Sequence, residues 1–277
     1  MVMRTRSGRA GRRAEGAGAK PQAKPQAKPQ AKPGTKRSGT RAPRTMARRV
    51  LRGASIAMGV ALAVLALLQS WYLVQVLWLT QFDPGSTSFM SDRLERMREK
   101  DPKARLKQRW VPYAQISPHL GRAVIAAEDA RFTIHEGVDW EAIEKAIGDN
   151  LRKGRVVRGG STITMQLAKN LFLSGERSYL RKAQEVAITY MIEAVMSKRR
   201  ILEIYLNVAE WGEGVFGAEA AARHYWNVPA SQLGPNQAAT LAAMLPRPRY
   251  FDRNRDSPLL ARRVEFVQRW MGGVALP

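Results

Sequence analysis

The chain has 277 residues, with 46 Lys and Arg against 23 Asp and Glu, a formal net charge of +23 and no cysteine. The missing cysteines exclude a disulfide framework and any thiolate metal site, so a domain outside the cytoplasm would stand on packing alone. A charge of this size suits nucleic acid or an anionic membrane surface, but its distribution along the chain argues against a nucleic-acid-binding domain.

Residues 1–52 hold roughly a third of the Lys and Arg against the single acid Glu15, in a Pro, Gly and Ala background. Such a composition cannot bury a core and reads as a disordered basic tail. Within it, Lys20-Pro21-Gln22-Ala23 recurs at Lys24 and Lys28 and fades at Lys32, a period too short for a solenoid and suited to an extended tether.

Residues 53–80 follow, and no charged residue occurs from Gly53 to Phe82. At about 1.5 Å per residue, some twenty of them cross a hydrocarbon core, and Trp71, Tyr72 and Trp78 lie towards the far end, where amphipathic rings favour the interface. The long basic leader and the lack of a small-residue cleavage site favour an uncleaved anchor over a signal peptide. Arg44, Arg48, Arg49 and Arg52 crowd the entry side, whereas the exit side mixes acids with bases. The positive-inside rule then puts the N-terminus in the cytoplasm and the following domain outside, where no nucleic acid is expected.

Residues 81–104 read as a linker and 105–273 as one domain. Its apolar spacing is helical: Leu120, Val124 and Ala127 on one stretch, Trp140, Ile143, Ala146 and Ile147 on the next. Ser178 is placed to cap a helix from Tyr179 to about Ser197, Lys198–Val208 continues as a second, and Gly212-Glu213-Gly214 breaks it. Further helices are expected over 218–225, 235–245 and 258–271, which gives an all-α, irregular fold. Gly212-x-Gly214-x-x-Gly217 fits a dinucleotide pattern formally but lacks the strand-turn-helix context, and His119, His135 and His224 have no metal-ligand spacing.

The chemistry lies in a few polar blocks. Glu128 follows the apolar run Val124–Ala127 and so emerges from a packed helix end, where desolvation suits a general base for sugar transfer. Its neighbour Asp129 points elsewhere and is suited to a backbone donor or a cation. A donor that leaves as a diphosphate needs positive charge, which Lys169, Arg181 and Lys182 can supply, although Arg181 and Glu185 at i and i+4 also fit an ordinary surface pair.

These blocks resemble the four motifs of the family 51 peptidoglycan glycosyltransferases, in the monofunctional biosynthetic form. The first is Glu128-Asp129-x-x-Phe132-x-x-His135-x-Gly137-x-Asp139 and the second Gly159-Gly160-Ser161-Thr162-Ile163-Thr164-x-Gln166 with Lys169-Asn170-Leu171. The third is Arg181-Lys182-x-x-Glu185, and the fourth runs from Lys198 to Asn207. The resemblance implies a lysozyme-like domain that polymerises lipid II into β-1,4 glycan strands and releases undecaprenyl diphosphate. It also implies that Glu128 is the base and Glu185 a second catalytic carboxylate. Asp129, Phe132, His135, Ser161, Thr162, Gln166, Lys169, Asn170, Arg181 and Lys182 are then expected to form the substrate site, and 140–158 a membrane-embedded jaw. No tightly bound cofactor is implied; a divalent cation, Mg or Mn, at the donor diphosphate stays open, with its metal ligands unknown.

The expected partners are lipid II, the growing lipid-linked strand, the membrane, and transpeptidases or other cell-wall proteins. Met165 stands where many members have glutamine, and no Ser-x-x-Lys or Lys-Thr-Gly follows the domain, so cross-linking is expected from a partner. A hydrolytic muramidase on the same architecture is the competing enzyme, and a non-catalytic membrane scaffold the competing non-enzyme.

Overall fold

A computed structural model describes residue 34 and residues 43–154, 160–173 and 178–277. The rest of the tail 1–42 and parts of the expected jaw and of the second motif (155–159, Gly159 included) lie outside the described residues. The chain divides into two compact units, Met1–Ile56 and Ala57–Pro277. Of the first, apart from Gly34, only the opening turns of helix α1 (Pro43–Leu79) are described.

Met46–Leu79 of α1 is long and apolar enough to cross a membrane. Within the second unit, the C-terminal turns of α1 join the domain. Val76 and Leu79 are buried, the Tyr72 ring meets Phe172 edge-on at 5.7 Å, and Gln69 and Gln184 exchange side-chain hydrogen bonds of 2.8 and 3.1 Å. Arg200 fastens the end of the helix by donating to the Leu79 and Phe82 carbonyls and pairing with Asp83 at 2.9 Å.

The stretch expected as a linker contains α2 (Ser88–Arg98), capped by the Thr87 hydroxyl and seated on the domain through buried Met90 and a forked pair between Arg93 and Glu210 at 2.9 and 3.2 Å. Beyond it come α3 (Pro118–Glu128), α4 (Trp140–Lys153), α5 (Ile163–Phe172), α6 (Tyr179–Val195), α7 (Lys198–Val208), α8 (Ala218–Trp226), α9 (Pro235–Met244), α10 (Pro248–Arg253) and α11 (Pro258–Met271). Serine or threonine caps recur: the hydroxyls of Ser117, Thr162, Ser178 and Ser197 each accept from a first-turn N–H.

Helices α3, α9 and α11 pack together, while α5 packs on α6 and α7. Helix α7 is the core's axis, with Ile201, Leu202, Ile204, Leu206 and Val208 buried; its buried Asn207 exchanges hydrogen bonds with both backbone groups of Val111 at 3.0 Å. Among the described residues the fold is all-α but for three short strands, β1 (Lys107–Gln108), β2 (Glu210–Gly212) and β3 (Val215–Phe216), ordered β1-β3-β2. The glycines that fit a dinucleotide pattern thus belong to the β2–β3 hairpin and the turn into α8. Strands this short have no room for the alternation that reveals a strand in sequence.

On helix α4 Ala146 is buried, while Trp140, Ile147 and Leu151 are exposed, a row of large apolar side chains on the domain's surface.

Candidate active site

Glu128 closes α3, and the chain turns sharply at Asp129, whose φ of −160° and ψ of 73° end the helix. The Glu128 side chain lines a cleft of about 590 Å³ with Arg131, Lys145, Ser161, Gln166 and Arg263. Its Oε2 accepts from Gln166 Nε2 at 2.7 Å, and the other end of that amide, Oε1, accepts from the Tyr205 hydroxyl at 2.9 Å. Tyr205 is fully buried, so a chain of three side chains runs from the core to the carboxylate. Burial pushes the Glu128 pKa above the ordinary carboxylate value; the Gln166 hydrogen bond and the charges of Arg263 and Lys169 offset part of that rise.

Asp129 faces the other way. Its carboxylate meets His135 Nε2 at 2.9 and 3.0 Å and accepts from the backbone N–H of Ile163 at 2.9 Å, so it satisfies a donor at the first turn of α5. The Gly137 N–H donates to His135 Nδ1 at 3.0 Å. That nitrogen must therefore carry a lone pair, and the proton sits on Nε2, where it bonds Asp129.

Gly137 has φ +87°, and a Cβ there would lie 2.7 Å from Glu193, so the turn requires glycine. Thr162 caps α5 and donates to the Gly137 carbonyl at 2.5 Å, which locks the second motif to the first. Gly160 lets the chain pass α4, since a Cβ there would come within 2.9 Å of Ile143.

Lys169 and Asn170 follow on α5 and line a second, larger cleft of about 690 Å³ that also borders Gln166. Helix α6 brings Lys182 and Arg181 to Glu185. Lys182 Nζ donates to Glu185 Oε1 at 2.5 Å and to Ser161 Oγ at 3.2 Å, and Arg181 lies 3.8 Å from the same carboxylate. Desolvation lowers the Lys169 pKa, and the positive neighbours Arg181 and Lys182 add to this, while Glu185 and Glu128 pull it back up. Lys169 therefore lies within the field of both carboxylates, a convergence that helix spacing could not reveal.

Not every expected contact faces a cleft. Phe132 is fully buried, its ring 4.8 Å from the Lys198 ammonium, and it offers no surface to a substrate. His135 lines neither cleft and is committed to the scaffold, whereas Asp129 and Thr162 border the Glu128 cleft but spend their hydrogen bonds on the scaffold. Met165, the departure from the family pattern, is also buried, so a thioether suits its position better than an amide would. Three groups were not singled out from the sequence as site residues. Tyr205 reads from its spacing as ordinary core, Arg263 comes from α11 more than a hundred residues after Glu128, and Arg247 sits in a Pro-rich turn.

Comparison with known proteins bears on this geometry. The family model described as Transglycosylase matches residues 94–272. The chain belongs to the transglycosylase family. A "Biosynthetic peptidoglycan transglycosylase" of Janthinobacterium sp. (strain Marseille) is 58% identical over 218 residues, which span 79% of this chain and 94% of the relative. The protein of the same description from Bordetella pertussis is 55% identical over 241 residues, 85% of this chain and all of the relative. That from Thiobacillus denitrificans is 54% identical over 234 residues, 84% and 99% of the two chains. The matched span begins inside α2, so the transglycosylase region takes in part of the stretch that reads from sequence as a linker.

Proposed function

We propose that this transglycosylase polymerises glycan strands from lipid II by inverting transfer. One observation carries the reading: Gln166 borders both clefts, with a desolvated carboxylate, Glu128, on one side and the cationic Lys169 on the other. The acceptor sugar's 4-hydroxyl occupies the Glu128 cleft and gives its proton to that carboxylate. Its oxygen attacks C1 of the donor, the C1–O bond to the diphosphate breaks, and the α-linked donor becomes a β-1,4 link. The departing diphosphate keeps the bond's electron pair and needs no proton; Lys169, Arg181 and Lys182 neutralise it. Glu185 holds Lys182 and Arg181 in place for that task.

A divalent cation at the diphosphate would be held by the phosphates with one or two carboxylates. Among the described residues no group of three His, Asp or Glu is placed to hold a metal, and Glu185 is already shared between two cations. No step is assigned to such an ion.

The long apolar helix anchors the chain in the cytoplasmic membrane with its arginine-rich end inside and the catalytic domain outside. There the exposed Trp140, Ile147 and Leu151 meet the lipid from which the substrate is drawn. Transpeptidases acting on the new strand are the natural partners.

The test is to incubate the detergent-purified chain and its Glu128→Gln variant with labelled lipid II, size the products and digest them with a muramidase. Muramidase-sensitive polymer from the unmodified chain alone supports the reading. Release of soluble fragments from purified cell-wall sacculi, without use of lipid II, would replace it with hydrolysis.

A further inference from the structure

The larger cleft extends well beyond what a diphosphate requires. Its volume of about 690 Å³ is of the size that encloses a ligand of many more atoms. Part of its wall is formed by the turn after α9 and by α10, and that part is arginine-rich: Arg247, Arg249 and Arg253 all line it. The acids in the lining are Asp92 and Glu210, and both are taken. Asp92 pairs with Arg96 at 3.1 Å, and Glu210 accepts both prongs of Arg93 in a pair whose side chains are 9% and 4% exposed.

The short helix α10 is held from its far side. Phe251 is buried, and the Asp252 carboxylate accepts from the Tyr225 hydroxyl at 2.8 Å and from the Glu213 N–H at 3.0 Å. Pro246 and Pro248 fix φ on either side of Arg247. With Phe251 and Asp252 turned inward, Arg249 and Arg253, four residues apart, share the cleft-facing side. Like charges at that spacing destabilise a helix. Arg249 feels the charge of Glu210, but among the described residues neither Arg247 nor Arg249 makes a side-chain hydrogen bond or an ion pair. Arg253 Nε donates to the Arg249 carbonyl at 3.2 Å, so a fixed backbone presents three exposed guanidinium groups to the cleft that also holds Lys169 and Arg181.

We propose that Arg247, Arg249 and Arg253 form a cradle for carboxylates of the peptide carried by the donor strand. The inference rests on the polymerase reading for the identity of the ligand. The sugars are neutral and the diphosphate belongs at the Lys169 end, so the remaining anionic groups of a disaccharide-peptide are its peptide carboxylates. A planar guanidinium fork matches a carboxylate with two parallel hydrogen bonds. The cradle grips the growing strand through its peptide and holds it in register between transfers.

Calorimetry on the full chain in detergent tests this, using soluble disaccharide-peptide fragments that lack the diphosphate and have their peptide carboxylates either free or amidated. The unmodified chain should bind the free-acid fragment about tenfold or more tighter than the amidated one. R247Q/R249Q should erase that ratio, and R247K/R249K, which keeps charge without the fork, should retain part of it. Equal binding of the two fragments by the unmodified chain, or an undiminished ratio in the Gln variant, would overturn the cradle. Lipid II polymerisation by the same preparation is measured alongside. Absence of polymer there removes the polymerase reading, while the fragment ratio still decides whether carboxylates are held.

Discussion

Gln166 Nε2 donates to Glu128 Oε2 at 2.7 Å. The amide can point this way only because its oxygen is itself engaged by Tyr205 at 2.9 Å. Tyr205 never reaches a cleft-bound hydroxyl that Glu128 would deprotonate, yet it determines which end of Gln166 the base meets. Tyr205→Phe frees the Gln166 oxygen and lets the amide rotate, presenting an acceptor to an acceptor. The turnover number should fall about tenfold with KM little changed, and the acidic limb of the pH profile should move upward as Glu128 loses a donor that favours its charged form. Steady-state polymerisation across pH checks this. An unchanged limb together with a fall in thermal stability would reduce Tyr205 to packing.

Glu128→Gln should lower polymerisation by roughly 10²- to 10⁴-fold, the usual contribution of a positioned base. It should also stabilise the protein. Burial raises the folded-state pKa of Glu128 above its unfolded value, so the folded chain binds a proton more tightly than the unfolded one. Stability associated with that proton is present below the unfolded pKa and is lost as pH rises through the folded one. Glutamine removes that dependence. Thermal denaturation in detergent should therefore show the variant gaining on the unmodified chain from acid to neutral pH, with the two closest at about pH 4.

Lys169 sets the other side of the profile. Its pKa is lowered, chiefly by desolvation, so it loses its charge at a lower pH than an exposed lysine would. Donor binding should weaken there, giving activity that rises through the Glu128 ionisation and falls through that of Lys169. Lys169→Arg keeps the positive charge at every accessible pH. Its alkaline limb should vanish even if its maximal rate is several-fold lower. Retention of the limb in that variant would assign the fall to another group.

Much of the helical frame was legible because its signals are local. Ser178 capping α6, the α7 span and the break at Gly212 follow from neighbours within a few residues. On α4 the apolar spacing marks one face without saying what covers it, and Trp140, Ile147 and Leu151 of that helix lie outside. Periodicity reports which side of a helix is apolar and says nothing of whether protein or lipid covers it. The connector 81–104 reads as a linker because its charges suggest solvent, whereas Arg93 is buried against Glu210 from a hairpin over a hundred residues away. The candidate site divides in the same way. Glu128, Lys169, Arg181, Lys182 and Glu185 stand in short motifs, as Tyr205 does in the fourth, but the approach of Tyr205 and Arg263 to Glu128 comes only through tertiary packing, and no local pattern marks Arg263.

Asp129 separates a scaffold role from a substrate contact. Its carboxylate serves the His135 ring N–H and the Ile163 backbone N–H, both buried. Asp129→Ala would orphan both donors, each at about 1–3 kcal/mol, and would remove the negative charge from the N-terminus of α5. Asp129→Asn keeps one carbonyl oxygen and should fall between the two. The expected result is a large drop in apparent melting temperature for alanine, with lipid II KM nearly unchanged in the protein still folded at low temperature. Turnover should fall as well, since Gln166 and Lys169 ride on the helix that Asp129 tethers. A raised KM with melting temperature unchanged would make Asp129 a substrate ligand, as the family resemblance implied, and the hydrogen bonds to His135 and Ile163 would then contribute little to stability.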